Sequence, residues 1–207
     1  MTIKLFHHPW SRAANVVWML EELGIPYELV FVDIMKGEQK KPEMLAMNPM
    51  GKLPILVDGD AVVTESAAIA VYLADRYSLG KLAPATDDPA RGTYLRWTFF
   101  APSVIEPGTM AHGAKWEFKP GQAGWGSFDA MMTAIDAAVA GKQYLLGDRF
   151  TMADVVFGGT LRYMLQFKMI EASPAVAAYA ARLAERPALV RANERNAAIA
   201  KEHGVGA

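Results

Sequence analysis

The sequence predicts an α/β N-terminal domain over residues 1–78, a linker over 79–88, and an all-α C-terminal domain over 89–207. Three observations lead there. Strand-like alternation is confined to the first 77 residues, an Asp-Gly pair separates two apolar runs at Asp58-Gly59, and only helical spacing follows the linker.

Ile3-Lys4-Leu5-Phe6 alternates as a short strand. Pro9 follows, and Ser11 opens a run with apolar residues at Ala13, Val16, Val17, Leu20 and Leu23, which is helical spacing. Gly24 reads as its C-cap, Pro26 prevents resumption, and Tyr27 to Val32 reads as a second strand. A helical crossover of this length pairs the two strands in parallel. Leu53 to Val57 and Ala61 to Thr64 flank Asp58-Gly59 as a hairpin, and Glu65 to Tyr77 returns to helical spacing through Ile69, Tyr72 and Leu73. The order β-α-β, irregular helix, β-β-α is a thioredoxin-like arrangement. Gly80, Pro84, Asp87-Asp88 and Pro89 mark the linker. Beyond it Tyr94 to Ile105, Phe128 to Val139, Met152 to Phe167, Ala175 to Leu183 and Leu189 to Ile199 suit helices, and residues 171–207 hold 13 alanines. Pro102 predicts a kink near Phe99, where a carbonyl loses its partner. The segment from His112 to Gly126 reads as a Gly-rich loop carrying Trp116, Phe118 and Trp125.

Composition narrows the function. With 52% hydrophobic and 21% charged residues in 207, the chain is an ordinary globular protein. A net charge of −1 supplies no field for a polyanion, so no nucleic-acid partner is expected. No stretch approaches a membrane span and the N-terminal segment lacks a signal-peptide pattern, so a cytoplasmic protein with no membrane partner is expected. Zero cysteines exclude disulfides, thiolate metal sites and a thiol of the protein's own, so any sulfur chemistry comes from a ligand. The sequence lacks G-x-S-x-G and P-loop patterns, and Gly121, Gly124 and Gly126 have the wrong order for a dinucleotide fingerprint. His7-His8, without acidic neighbours, read as structural or pocket-lining, and no metal is expected.

Glu65-Ser66 lies at a helix start, where unpaired N–H groups and the positive dipole end suit a carboxylate. Thr151-Met152-Ala153-Asp154 reads as a capping box, which gives Asp154 a folding role. The block Asn48-Pro49-Met50-Gly51-Lys52-Leu53-Pro54, followed by Glu65-Ser66-Ala67-Ala68-Ile69 and later by Phe150 to Asp154, resembles the glutathione S-transferase superfamily, in a bacterial-type, serine-using form.

The resemblance implies the fold of that family, a thioredoxin-like domain plus an all-helical one, and glutathione as co-substrate. It implies that Ser66 holds the γ-glutamyl carboxylate, that Glu65 faces the ammonium, and that Leu53, before a family-type cis Pro54, offers its backbone to the cysteinyl part. The sequence leaves cis and trans open at that bond. Lys41 and Lys52, with Gln39 behind them, are candidates for the glycine carboxylate. For the thiolate the candidate is Ser11, supplemented or replaced by Arg12 and Asn15; a plain helix cap is the other reading of Ser11. Phe6 stands where tyrosine-using members place their hydroxyl, and Trp10 stands where serine-using members often place theirs. Trp10, Phe100 and Trp116 are candidates for the electrophile site. The implied activity is detoxification-type conjugation of glutathione to a small hydrophobic electrophile by a homodimer. The alternatives are a non-catalytic ligand- or partner-binding relative and a glutathione-dependent disulfide or peroxide reductase.

Overall fold

The structure, a computed structural model, describes residues 2–206, without the side chain of Pro120. Four strands, β1 (Ile3–His7), β2 (Tyr27–Phe31), β3 (Ile55–Asp58) and β4 (Ala61–Thr64), form one sheet in the order β2-β1-β3-β4. Strand β1 runs parallel to β2, as the crossover helix α1 (Ala13–Leu23) requires, and antiparallel to β3; β3 and β4 form the expected hairpin. Gly59 takes φ 62° in its two-residue loop, a conformation that costs a side-chain-bearing residue more.

Helix α1 starts at Ala13, its first apolar residue, two residues after Ser11, which the sequence placed at the opening of the run. Its entry is tightened into short-range bonds, Ala14 N–H to Ser11 O and Asn15 N–H to Arg12 O, so Ser11 lies in the turn before the helix. Gly24 at φ 64° closes it as expected, donating to Leu20 O at 3.0 Å. Ala13, Val16, Val17, Trp18, Met19 and Leu20 are all buried, which sets α1 into the core of its unit. A short helix α2 (Pro42–Met47) precedes β3, and α3 (Ser66–Ser78) follows β4.

The remaining helices are α4 (Ala90–Phe100), α5 (Glu106–Gly113), α6 (Phe128–Val139), α7 (Met152–Gln166), α8 (Pro174–Ala184) and α9 (Pro187–Glu202). Pro102 acts where expected, though as a π-helical turn over Ala101–Ile105 linking α4 to α5. The Ser103 hydroxyl donates to the Phe99 carbonyl at 2.6 Å within this turn. Helix α5 extends into the segment expected to be loop, and a 3-10 turn at Pro120–Gln122 occupies its middle.

The chain divides into two compact units, one running to Leu73 and resuming at Arg186, the other spanning Ala74–Glu185. The expected boundary put α9 in the helical domain; packing puts it in the first unit. Basic residues on it and just before it meet α1 carboxylates: Arg186, at its N-cap, grips Glu22 at 2.6 and 2.7 Å, and Arg191 and Arg195 reach Glu21 at 2.7 and 2.6 Å. Ala188, Leu189 and Ala192 are buried beside them. The linker is likewise bound into the second unit. Arg149 pairs with Asp88 at 3.0 Å and donates to Gly80 O, while Arg91 holds Asp75 with two bonds of 2.7 and 2.6 Å.

In the second unit the buried Asp154 carboxylate closes the capping box of α7 and accepts from Leu145 N–H, Thr151 N–H and Tyr179 Oη, each at 2.9 Å. Burial raises its pKa against these bonds.

Candidate functional site

Sheet register gathers the site. Phe6 stands opposite Ile55 on β3, and Ile55 stands opposite Thr64 on β4. The end of β1, the start of β3 and the end of β4 therefore lie at one edge of the sheet. The segments that continue from them carry Ser11, Leu53-Pro54 and Glu65-Ser66 to that edge. Strand β2, parallel to β1, also ends there and leads to the segment with Lys41.

The Leu53-Pro54 bond is cis. Pro54 is buried, and Leu53 packs against a cluster of Val32, Met44 and Ile55. The loop before it is braced by Asn48, whose Nδ2 donates to Lys52 O at 3.0 Å and whose Oδ1 accepts from Met50 N–H at 3.1 Å. Gly51 is required here: its φ is 55°, and a Cβ would stand 2.6 Å from Lys40 Cδ and 3.0 Å from Gln39 O. Lys40 itself donates to Met50 O at 2.8 Å. Asn48 within the motif and Lys40 ahead of it hold the cis-proline loop, a role their polar identity did not reveal.

Glu65 takes φ 67°, unusual for a residue with a β-carbon, while its carbonyl accepts the first helical bond of α3 from Ile69. A strained backbone at the mouth of a helix marks a site held by its surroundings. Glu65 is exposed and Ser66 half-buried, at an N-terminus whose first N–H groups have no helical carbonyl to bind. Lys41 pairs with Glu38 at 2.7 Å, which raises its pKa, and Lys52 is exposed.

At the mouth of α1, the Ser11 N–H and hydroxyl both donate to His8 O, at 3.0 and 2.8 Å, and Ser11 Oγ accepts from Ala13 N–H at 3.1 Å. Arg12 and Asn15 are half-buried, one helical turn apart. His8 is buried under Trp10, whose ring stands edge-on to it at 6.1 Å, and near Phe31 at 5.5 Å. Trp10 is 51% exposed. Burial lowers the pKa of both His7, to about 4, and His8. His7 Nε2 donates to Asn196 Oδ1 at 2.7 Å, and Asn196 Nδ2 donates to Ala14 O at 3.3 Å, so α9 ties the end of β1 to the first turn of α1.

In the helical unit Phe100 packs edge-on to Trp97 at 5.1 Å and near Phe157 at 6.4 Å. Trp116, 59% exposed, instead lines a pocket of about 370 Å³ with Phe118, Gln122 and Trp125. Among the described residues no group of three or more His, Cys, Asp or Glu side chains is placed to hold a metal ion, and no helix is long and apolar enough to cross a membrane.

The family profile for the glutathione S-transferase N-terminal domain matches residues 1–75, and that for the C-terminal domain matches residues 114–182. A glutathione S-transferase of Hypomyces subiculosus is 34% identical over 169 residues, covering 75% of this chain and 79% of that one. A glutathione S-transferase of Schizosaccharomyces pombe is 33% identical over 171 residues, covering 72% and 68%. The crystal structure of a glutathione transferase from Phanerochaete chrysosporium with oxidized glutathione superposes with a TM-score of 0.79 at 26% identity, covering 97% of each chain. With its four-stranded thioredoxin-like sheet, its helical second unit and these matches, the chain belongs to the glutathione S-transferase family.

Proposed function

We propose that this chain is a glutathione transferase that holds glutathione at the carboxyl end of β1 as a thiolate and conjugates it to a small hydrophobic electrophile. The observation that carries the reading is the Phe6, Ile55 and Thr64 register, which supports one site built from Ser11, cis Leu53-Pro54 and Glu65-Ser66. In it the N-terminus of α3 and the Ser66 hydroxyl bind the γ-glutamyl carboxylate, and Glu65 faces the ammonium. The Leu53 backbone pairs with the cysteinyl unit, and Lys41 and Lys52 attract the glycine carboxylate.

Free glutathione, with a thiol pKa near the cysteine value of about 8.5, offers only a few per cent thiolate at neutral pH. A donor at the mouth of α1 lowers that value by hydrogen bond and helix dipole together. Ser11 has one hydroxyl proton, directed at His8 O, and turning it to the sulfur leaves that carbonyl its bond from Ser11 N–H. Arg12 and Asn15 complete the mouth. The thiol proton passes to solvent, the sulfur lone pair forms the bond to the electrophilic carbon, and the leaving group departs with its electron pair. The reading includes a homodimer in the cytoplasm, in keeping with the family resemblance.

Ultraviolet titration of enzyme-bound glutathione is the test. Thiolate absorbance at least one pH unit below the free thiol supports the mechanism, with each unit equivalent to about 1.36 kcal/mol. Absorbance that follows the free thiol refutes it.

A further inference from the structure

At the opposite end of the sheet lies a cavity of about 410 Å³ lined by Leu20, Glu21, Gly24, Ile25, Pro26, Tyr27, Arg191 and Arg195. Tyr27 stands opposite Ile3 at the start of β1 and β2, whereas the glutathione edge begins beyond Phe31 and His7. Four residue steps at about 3.3 Å separate the two ends, so the cavity lies about 13 Å or more from that edge. All its lining residues belong to the first unit.

Its charge is unbalanced. The Glu21 carboxylate, with 8% of the side chain exposed, takes Tyr27 Oη and Arg195 Nε on Oε1 at 2.6 Å each, and Arg191 Nε on Oε2 at 2.7 Å. Arg191 also donates to Glu21 O at 3.1 Å. One carboxylate thus faces two guanidinium groups, which leaves a net positive charge. The Glu21 carboxylate already accepts these three bonds, so its charge is shared between the two guanidinium groups and the tyrosine. The Arg191 and Arg195 side chains are 50% and 55% exposed, and Arg195 lies over the Tyr27 ring at 5.1 Å. Glu21 and the ring fix the orientation of Arg195 while its remaining N–H fork stays accessible, a planar donor set matched to a carboxylate. Leu20, Ile25 and Pro26 supply an apolar wall, and the volume falls in the range of small-molecule sites.

We infer that this cavity is a second ligand site, taking a small carboxylate with a flat apolar body: the carboxylate on the outer fork of Arg195, aided by Arg191, and the body along Ile25 and Pro26. The site is separate from conjugation, and its ligand leaves chemically unchanged.

The test is calorimetric titration of the full-length protein with 1-naphthoate, its neutral analogue 1-naphthamide, and inorganic phosphate, with amide chemical-shift mapping of the naphthoate complex. The expected result is one naphthoate per chain, shifts at Gly24 to Tyr27 and Arg191 to Arg195, and at least tenfold weaker binding for the amide and for phosphate. Arg195→Gln weakens naphthoate at least tenfold, and Arg195→Lys, which keeps charge and loses the fork, falls between. Retained conjugation activity shows that the variants are folded. No heat at millimolar naphthoate, shifts elsewhere, equal binding of the amide or of phosphate, or an unchanged affinity in folded Arg195→Gln each overturns the proposal.

Discussion

Asn196 accepts a 2.7 Å hydrogen bond from His7 across 189 residues of sequence, and returns a bond of 3.3 Å to the carbonyl of Ala14. One side chain of the last helix therefore braces both the end of the first strand and the opening turn of α1, where Ser11, Arg12 and Asn15 stand. Asn196→Ala leaves His7 Nε2 without its partner in a buried site, so stability falls by about 1–3 kcal/mol in urea unfolding. An unchanged midpoint removes the brace from the account.

His7 itself predicts a pH dependence. Burial lowers its pKa from 6.5 to about 4. The unfolded chain binds a proton at pH below about 6.5 that the folded chain refuses until about pH 4, so the stabilisation present above pH 6.5 is lost on acidification through that window. The wild type loses on the order of 3 kcal/mol between these limits from this group. His7→Gln flattens that part of the stability profile, and an identical slope in both proteins contradicts the assignment.

Ser11→Ala tests the thiolate donor. With Ser11 as donor, the bound thiol titrates about one unit or more higher and kcat/KM below neutral pH falls at least tenfold, the ratio that about 1.4 kcal/mol supplies. If the bound thiol is unmoved in Ser11→Ala and rises in Arg12→Gln or Asn15→Ala, the donor is one of those two.

Glu65 offers a comparison with a reversed sign. At its φ of 67° a β-carbon is strained, so Glu65→Gly exceeds Glu65→Ala in stability by about 1 kcal/mol, the opposite of the usual order of these residues near a helix. Both variants bind glutathione more weakly, since each lacks a carboxylate for the ammonium. Equal stability of the two variants argues that the backbone strain is absent.

Asp154→Ala strands Leu145 N–H, Thr151 N–H and Tyr179 Oη in the buried interior. Loss of about 3–5 kcal/mol is expected, enough to unfold a marginal domain. Chemical denaturation of Asp154→Ala beside Asp154→Asn, which keeps one acceptor, measures it; a loss below about 1 kcal/mol in the alanine variant would remove Asp154 from the folding account.

What was readable in advance was local. The Asp58-Gly59 turn, the Gly24 cap, the capping box at Thr151 and the spans of α6 and α7 follow from turn chemistry and periodicity within a dozen residues. The thioredoxin-like order and the helical second half follow from them in turn. Leu53-Pro54 and Glu65-Ser66, proposed for the site, were visible as a motif, and the sheet register brings their positions to one edge.

The tertiary structure alone decided the rest, because each point depends on partners far along the chain. The cis state of Leu53-Pro54 is set in a loop held by Asn48 and Lys40. The Ser11 hydroxyl is directed by a carbonyl of the preceding turn, and the Glu65 backbone is bent where β4 meets α3. Helix α9, helical by its own pattern, joins the first unit because its arginines find Glu21 and Glu22, and no periodicity within α9 encodes where those carboxylates stand. Short-range spacing determines which elements form; long-range charge pairing and burial decide what they hold in place.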